Sequence, residues 1–229
     1  MVEIVAEVGS AHNGSLTRLK MLISVAAWCG CDYAKFQFYR PEDMPDRYVG
    51  DNDAMYQKLS VPDEWLPELF AHALDVEIGL FASVFSVRAV ETLLKFDVPC
   101  IKFASPDSTM LSQDTYDAMA RIIPATVRLI ISLGHLDVLA GSCNHLGGEL
   151  MYCPIGHPPN VTKEMLVHFR SCRYTGFSDH TPGIQAPLAF IHAGAKTIEK
   201  HLKIDNDCVD AAFSADPKTM KLLCKLARK

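Results

Sequence analysis

The sequence predicts an α/β chain folded as a single (β/α)8 barrel over residues 1–229, with a shortened fifth βα unit. Three observations predict it. Short apolar runs alternate with helical patterns along the whole chain. The runs repeat about every 29 residues, the size of one βα unit in a barrel. Polar side chains gather at the C-terminal ends of the runs, where parallel barrels build their chemistry.

The apolar runs are residues 2–8, 33–39, 78–84, 100–105, 127–133, 148–153, 174–179 and 196–201. Most are nearly continuous and several are β-branched, as suits strands covered on both faces. Helical patterns fall between them at 15–29, 63–75, 86–96, 111–122, 162–170, 183–193 and 216–228. Ser15 is placed to cap the first. Asp63 and Glu64 give the second an acidic first turn ahead of the stripe Leu66, Leu69 and Phe70. Pro217 stands in the first turn of the last, where a missing N–H does no harm. Residues 134–147 are too short and glycine-rich for a full fifth helix. The second unit carries a long insertion, about 40–62, rich in Asp, Pro and Tyr, which reads as a functional loop. A doubly wound open sheet shares the alternation, but no G-x-G-x-x-G follows the first run.

Composition excludes several classes. Apolar residues make up 49% and charged residues 21%, too apolar for a disordered chain. The formal net charge of −5 leaves no basic excess to neutralise nucleic-acid phosphates. The longest apolar stretch, Met21 to Cys31, is too short for a membrane span and reads as a buried helix. The N-terminal residues lack the basic and apolar regions of a secretory signal. The eight scattered cysteines read as reduced thiols of a cytoplasmic protein; Cys29 and Cys31 form a C-x-C without a second pair, which suits core packing better than zinc.

The first run ends in Glu7, with His12-Asn13-Gly14 just beyond. The second carries Lys35 and Gln37, two apart and therefore on one face. Ser83 ends the third, and Lys102, Ser105 and Asp107 end the fourth. Ser132 ends the fifth, Ser178-Asp179-His180-Thr181 the seventh, and Glu199 and His201 share one face of the eighth. A single histidine at a strand end is commonly structural. A lysine inside an apolar strand is different, because lysine is almost never buried unpaired. Two such lysines imply a shared anion: either a ligand, or the carboxylates of Glu7 and Glu199 as structural ion pairs. His180 and His201 end neighbouring strands and could converge on one metal, which imidazoles suit for Mn, Fe, Co or Zn more than Mg.

The segment Val5-Ala6-Glu7-Val8-Gly9-Ser10-Ala11-His12-Asn13-Gly14 resembles the I-A-E-I-G-x-N-H-N-G signature of sialic acid synthases. Ala34-Lys35-Phe36-Gln37 resembles their V-K-F-Q, and Gly176-Phe177-Ser178-Asp179-His180-Thr181 their G-Y-S-D-H-T. Residues 194–201 are similar to G-A-x-x-I-E-K-H, and residues 212–217 to A-F-S-x-x-P. The motifs occur in order over nearly the whole chain.

The resemblance implies a barrel that condenses phosphoenolpyruvate with an N-acetylhexosamine, usually N-acetylmannosamine, to a nine-carbon 2-keto acid. It implies a divalent metal on His180 and His201, Mn2+ first, with Mg2+ or Co2+ as alternatives. It implies that Lys35, Ser83, Lys102, Ser105, Ser132 and Ser178 hold phosphoenolpyruvate. Glu7, Lys102 and Glu199 form the expected catalytic set, with the glutamates moving protons or positioning water. Gln37, Asp107 and Asp210 would face the sugar. Partners are then small molecules, with neither nucleic acid nor membrane. A related deoxy-sugar-acid synthase, an aldol-type enzyme for a smaller aldehyde, and a binding barrel without turnover are the alternatives.

Three features depart from the resembled pattern. Ile155 and His157 stand where it carries Asn and Tyr, and Asp107 replaces a Glu in a chain whose fifth unit is short. The family's small antifreeze-like domain, which lends an arginine to a partner subunit, has no counterpart before Lys229. The mouth over the sugar is therefore expected to be open unless the 40–62 insertion, with Arg47, Tyr48 and Tyr56, a homodimer partner or a separate lid protein covers it.

Overall fold

A computed structural model describes residues 1–44, 53–105, 111–134 and 146–229. Eight parallel strands close into a barrel in sequence order: β1 (Glu3–Glu7), β2 (Tyr33–Phe38), β3 (Gly79–Val84), β4 (Cys100–Phe103), β5 (Arg128–Leu133), β6 (Glu149–Tyr152), β7 (Tyr174–Asp179) and β8 (Thr197–His201). The described helices are α1 (Leu16–Cys29), α2 (Asp53–Leu59), α3 (Leu66–Asp75), α4 (Val87–Leu93), α5 (Gln113–Ile122), α6 (Lys163–Ser171), α7 (Gln185–His192) and α8 (Pro217–Ala227). Each predicted strand and helix is present, trimmed by a few residues. Most of the predicted short fifth connection, 135–145, lies outside the described residues.

Local chemistry sets the helix starts. Ser15 Oγ accepts from Arg18 N at 3.3 Å, and Asp216 caps α8 through Thr219 N at 2.8 Å ahead of Pro217. The insertion at 40–62 is not simply a loop. It contains a 3-10 turn at Pro41–Asp43 and the helix α2, whose Tyr56 ring meets Tyr39 at 6.0 Å between centroids. A seven-residue helix of mixed polarity leaves too little periodicity to read.

Side chains alternate across the strands, so each contributes to an outer shell against the helices and to stacked inner layers. The outer shell is the large apolar core, with Phe36, Phe103, Phe177 and Ile198 fully buried. It also holds one buried ion pair: Lys200 Nζ donates to Asp179 Oδ2 at 2.6 Å, while Asp179 Oδ1 accepts from Thr181 N at 3.0 Å. Inside the barrel, the lowest layer is a partly exposed network in which Arg128 bridges Glu3 at 3.0 Å and Glu149 at 3.0 Å. The middle layer is apolar: Val5, Phe81, Cys100, Ile130 and Met151. This plug is the floor on which the upper, polar layer stands.

Candidate active site

One step further along each strand, two residues past the floor, the inward positions become Glu7, Lys35, Ser83, Lys102, Ser132, Ser178 and Glu199. All are buried. Registry brings them together: Glu7 pairs across to Lys35, Ser83 to Lys102, and Ser178 to Glu199. Lys35 Nζ donates to Glu7 Oε2 and to Ser83 Oγ, the latter at 2.9 Å, and lies 3.6 Å from Glu199 Oε1. Glu199 Oε1 also accepts from Lys102 Nζ at 2.7 Å and from Ser178 Oγ at 3.0 Å. Burial would raise the Glu199 carboxyl, but Lys102 and Lys35 beside it prevail and hold it down at about 2. Burial likewise opposes the charge on Lys35, yet Glu199 and Glu7 prevail and raise it. Glu199 and Lys35 therefore hold their charges through each other's company despite burial.

Among the described residues, two polar atoms of this layer find no partner: Glu199 Oε2 and Ser132 Oγ are fully buried and unbonded. Native interiors rarely leave such atoms unmet without a ligand or water to meet them. Both residues border a cavity of about 130 Å3. A buried ion-pair cluster that served packing alone would have no use for that space.

The first turn after β1 is shaped for this layer. Gly9 N donates to Glu7 Oε1 at 2.5 Å, and a Cβ at Gly9 would collide with Gln37 Cγ at 2.7 Å and with the Glu7 carboxylate. Gly14 has φ +74°, and a Cβ there would sit 2.6 Å from Lys58 O. His12 does not reach the cavity. Its Nδ1 accepts from Gly14 N at 3.0 Å, and its ring lies edge-on to Trp65, with centroids 6.3 Å apart. Burial lowers it to about 4, so it is a neutral structural ring.

At the rim stand His180 and His201, with ring centroids 5.0 Å apart. His201 Nδ1 lies 3.3 Å from Asp210 Oδ2, which also accepts from Ser10 Oγ. His180 Nδ1 is paired with Cys153 Sγ at 3.9 Å. Both Nε2 atoms are thereby left for another partner. Burial lowers His180 well below its ordinary value, helped by the His201 and His157 rings, and so keeps it a neutral ligand-type imidazole. Phe213 packs on His201 at 5.0 Å and His180 at 5.5 Å, fixing both rings. Two imidazoles, one held neutral by burial and the other anchored by a carboxylate, are a donor set for a first-row divalent ion. No group of three or more His, Cys, Asp and Glu able to hold a metal occurs among the described residues. The histidine pair would thus leave most coordination positions open.

The cavity gathers every sequence-predicted site residue but two. Asp107 lies outside the described residues, as do Arg47 and Tyr48. Asp210, expected to face the sugar, instead stands behind His201 as its anchor. Cys153 and His157 line the cavity and were not among the predicted site residues. The signal for Cys153 was its place two residues after the inward Met151. Phe85 also lines it, and belongs to an apolar cluster with Tyr39 and Met44, to which Tyr56 of α2 adds. Part of the insertion therefore packs behind one wall of the cavity. No described helix is long and apolar enough to cross a membrane.

Fold and cavity together define a (β/α)8 barrel with its polar site at the C-terminal face. The NeuB family model matches residues 22–139 and 160–229, and the chain belongs to the NeuB family. It is 28% identical to the N,N'-diacetyllegionaminic acid synthase of Campylobacter jejuni, over 98% of this chain and 75% of the relative. It is also 28% identical to the pseudaminic acid synthase of Helicobacter pylori, over 93% of this chain and 70% of the relative. The N-acetylneuraminic acid (sialic acid) synthetase of Leptospira borgpetersenii, solved with citrate, superposes with a TM-score of 0.83 at 24% identity, covering 99% of this chain and 82% of that one.

Proposed function

We propose that the chain is a synthase of the sialic acid type, condensing phosphoenolpyruvate with an N-acetylhexosamine or related aldose. The observation that carries this reading is the buried Lys35, Lys102, Glu7 and Glu199 cluster with its unmet Glu199 Oε2 and Ser132 Oγ. A small molecule with both a carboxylate and a phosphate matches two ammonium groups ringed by serine hydroxyls.

Carbon 3 of phosphoenolpyruvate attacks the sugar aldehyde, forming the new carbon–carbon bond. Water adds at carbon 2, and phosphate leaves with its bridging oxygen as the carbon–oxygen bond breaks. Lys35 and Lys102 hold the anion, with Ser83, Ser105, Ser132 and Ser178 donating to its oxygens. Glu199 Oε2 takes the proton of the incoming water. The substrate's negative charges share Lys35 and Lys102 with Glu199, which lifts that carboxyl from its low resting value towards one suited to proton transfer. Glu7, fixed by Gly9 N and Lys35, holds the ammonium of Lys35 in place. A divalent cation on His180 and His201, Mn2+ first, would supply the Lewis acidity that an aldehyde oxygen needs as it becomes an alkoxide. Asp210 and Cys153 orient those two rings. Gln37 lies at the mouth and is placed for the sugar. Free, largely buried cysteines suit a reducing compartment such as the cytoplasm. A second copy of the chain or a separate lid protein would complete the cover over the sugar.

The test is phosphate release from phosphoenolpyruvate with Mn2+ and a panel of aldoses. Release that depends on the aldose, matched by an equal amount of 2-keto acid, supports the reading; release indifferent to every aldose counts against it.

A further inference from the structure

The C-x-C at the end of α1 meets a third cysteine in the folded chain. Gly30, at φ +85°, turns the chain out of the helix, and Cys31 N donates back to Ala26 O at 3.1 Å. That turn brings Cys31 Sγ to 3.7 Å from Sγ of Cys224 on α8, although the two residues are 193 apart in sequence. They meet where α1 packs on α8, at the seam between the first and last units of the barrel. Cys31 is 8% exposed and Cys224 2%. Cys29 Sγ goes elsewhere, donating to Pro217 O at 3.2 Å. The thiols are not a metal set among the described residues. Cys31 precedes β2, at the end of the barrel opposite the charged cavity, and neither sulfur lines that cavity.

We propose that Cys31 and Cys224 are a modification site: a reversible disulfide across the barrel seam, formed by a hydroperoxide and opened by a dithiol. A sulfur separation of 3.7 Å is van der Waals contact, so closing to the ~2.05 Å of a disulfide needs only a small approach. Donation from Cys31 lowers the Cys224 thiol despite its burial, and Arg228 adds to the effect, so Cys224 is the readier thiolate. The same hydrogen bond, with burial, raises Cys31. Hydrogen peroxide is little larger than water and reaches sulfur that burial hides from bulkier oxidants. The Cys224 thiolate attacks one peroxide oxygen and the O–O bond breaks. Cys224 becomes a sulfenic acid, and the departing hydroxide takes the thiol proton to become water. Cys31 Sγ then attacks that sulfur, the S–O bond breaks, and the hydroxide leaves with the Cys31 proton as a second water. Two thiols and one peroxide give one disulfide and two waters, with two electrons passing from sulfur to oxygen. In the reduced chain the seam is held by packing and by Arg228, which donates to Gly30 O at 2.6 Å and Asp32 Oδ1 at 3.1 Å. The disulfide adds a covalent tie enclosing most of the chain, and long loops lose the most freedom in the unfolded state.

The whole chain is treated with hydrogen peroxide, freed of it, unfolded in iodoacetamide and digested with trypsin without reductant. Mass spectrometry should find residues 21–35 joined to residues 222–225, lighter by two hydrogens than the separate peptides, with Cys29 alkylated and Cys31 in the link. The thermal midpoint of the oxidised chain should rise by roughly 5–15 °C and return on adding dithiothreitol. Cys29→Ala should keep both the link and the shift, and Cys224→Ala should lose both. Alkylated Cys31 and Cys224 after peroxide, sulfinic acids in place of the link, a link through Cys29, or a link that leaves the midpoint unmoved would each overturn the proposal. The peptide map is made on the unaltered chain, so it decides the case even where Cys224→Ala does not fold.

Discussion

Replacing Lys102 separates a ligand-binding lysine from a structural one. Lys102 is 3% exposed and its ammonium donates to Glu199 Oε1 at 2.7 Å. In Lys102→Met, Glu199 keeps only Ser178 at 3.0 Å and the more distant Lys35 at 3.6 Å. Breaking one side of a buried pair costs about 3–5 kcal/mol of stability. Losing a charge-assisted hydrogen bond to the substrate costs roughly 1.5–3 kcal/mol of binding, or about ten- to a hundredfold in affinity. The double variant Lys102→Met/Glu199→Gln removes the stranded charge. Its stability should recover most of the loss, while its phosphoenolpyruvate affinity should stay low. Denaturant unfolding reads the first quantity and calorimetry the second. Affinity that returns with stability in the double variant, or never falls in the single one, would refute the role given to Lys102.

Mn2+ binding followed by electron paramagnetic resonance should be lost in His180→Ala/His201→Ala, with circular dichroism checking that the fold is kept; full stoichiometric binding at this site in the folded double variant would sink the metal assignment. Burial holds the His12 pKa at about 4 against 6.5 in the unfolded chain, so its contribution is complete above pH 6.5 and fades as pH falls towards 4. The difference amounts to roughly 3 kcal/mol, and His12→Gln should flatten the stability curve over that window by a comparable amount; parallel curves for the two proteins would show that another group sets the slope.

The strands and their inward residues were legible because charge inside an apolar run has few places to go. Lys35 and Lys102 were expected to share an anion, with Glu7 and Glu199 as candidates, because a lysine in an apolar run needs a partner, and registry showed which face they share. Arg128 follows the same rule, two residues before Ile130 and four before Ser132, but at the opposite end of its strand, where it ties Glu3 to Glu149 below the floor. Turns were less legible. His12 sits beside Glu7 in sequence and its motif suggests the site, yet the Asn13-Gly14 turn sends its ring to Trp65. Nothing in spacing says which side of a turn a side chain takes. Asp210 occupies an irregular stretch with no period to follow, so its place behind His201 emerged only from the packed structure. Helix α2 was hidden because seven residues of mixed polarity carry no stripe.

The most direct measurement uses phosphoenolpyruvate labelled with 18O at the oxygen bridging carbon 2 and phosphorus. The chain, Mn2+ and an accepted aldose are incubated with it, and the released phosphate is read by 31P NMR. Attack through carbon 3 with water adding at carbon 2 sends the label into phosphate, in step with a new 2-keto acid extended by three carbons. Unlabelled phosphate, or phosphate formed without that acid, would contradict the account.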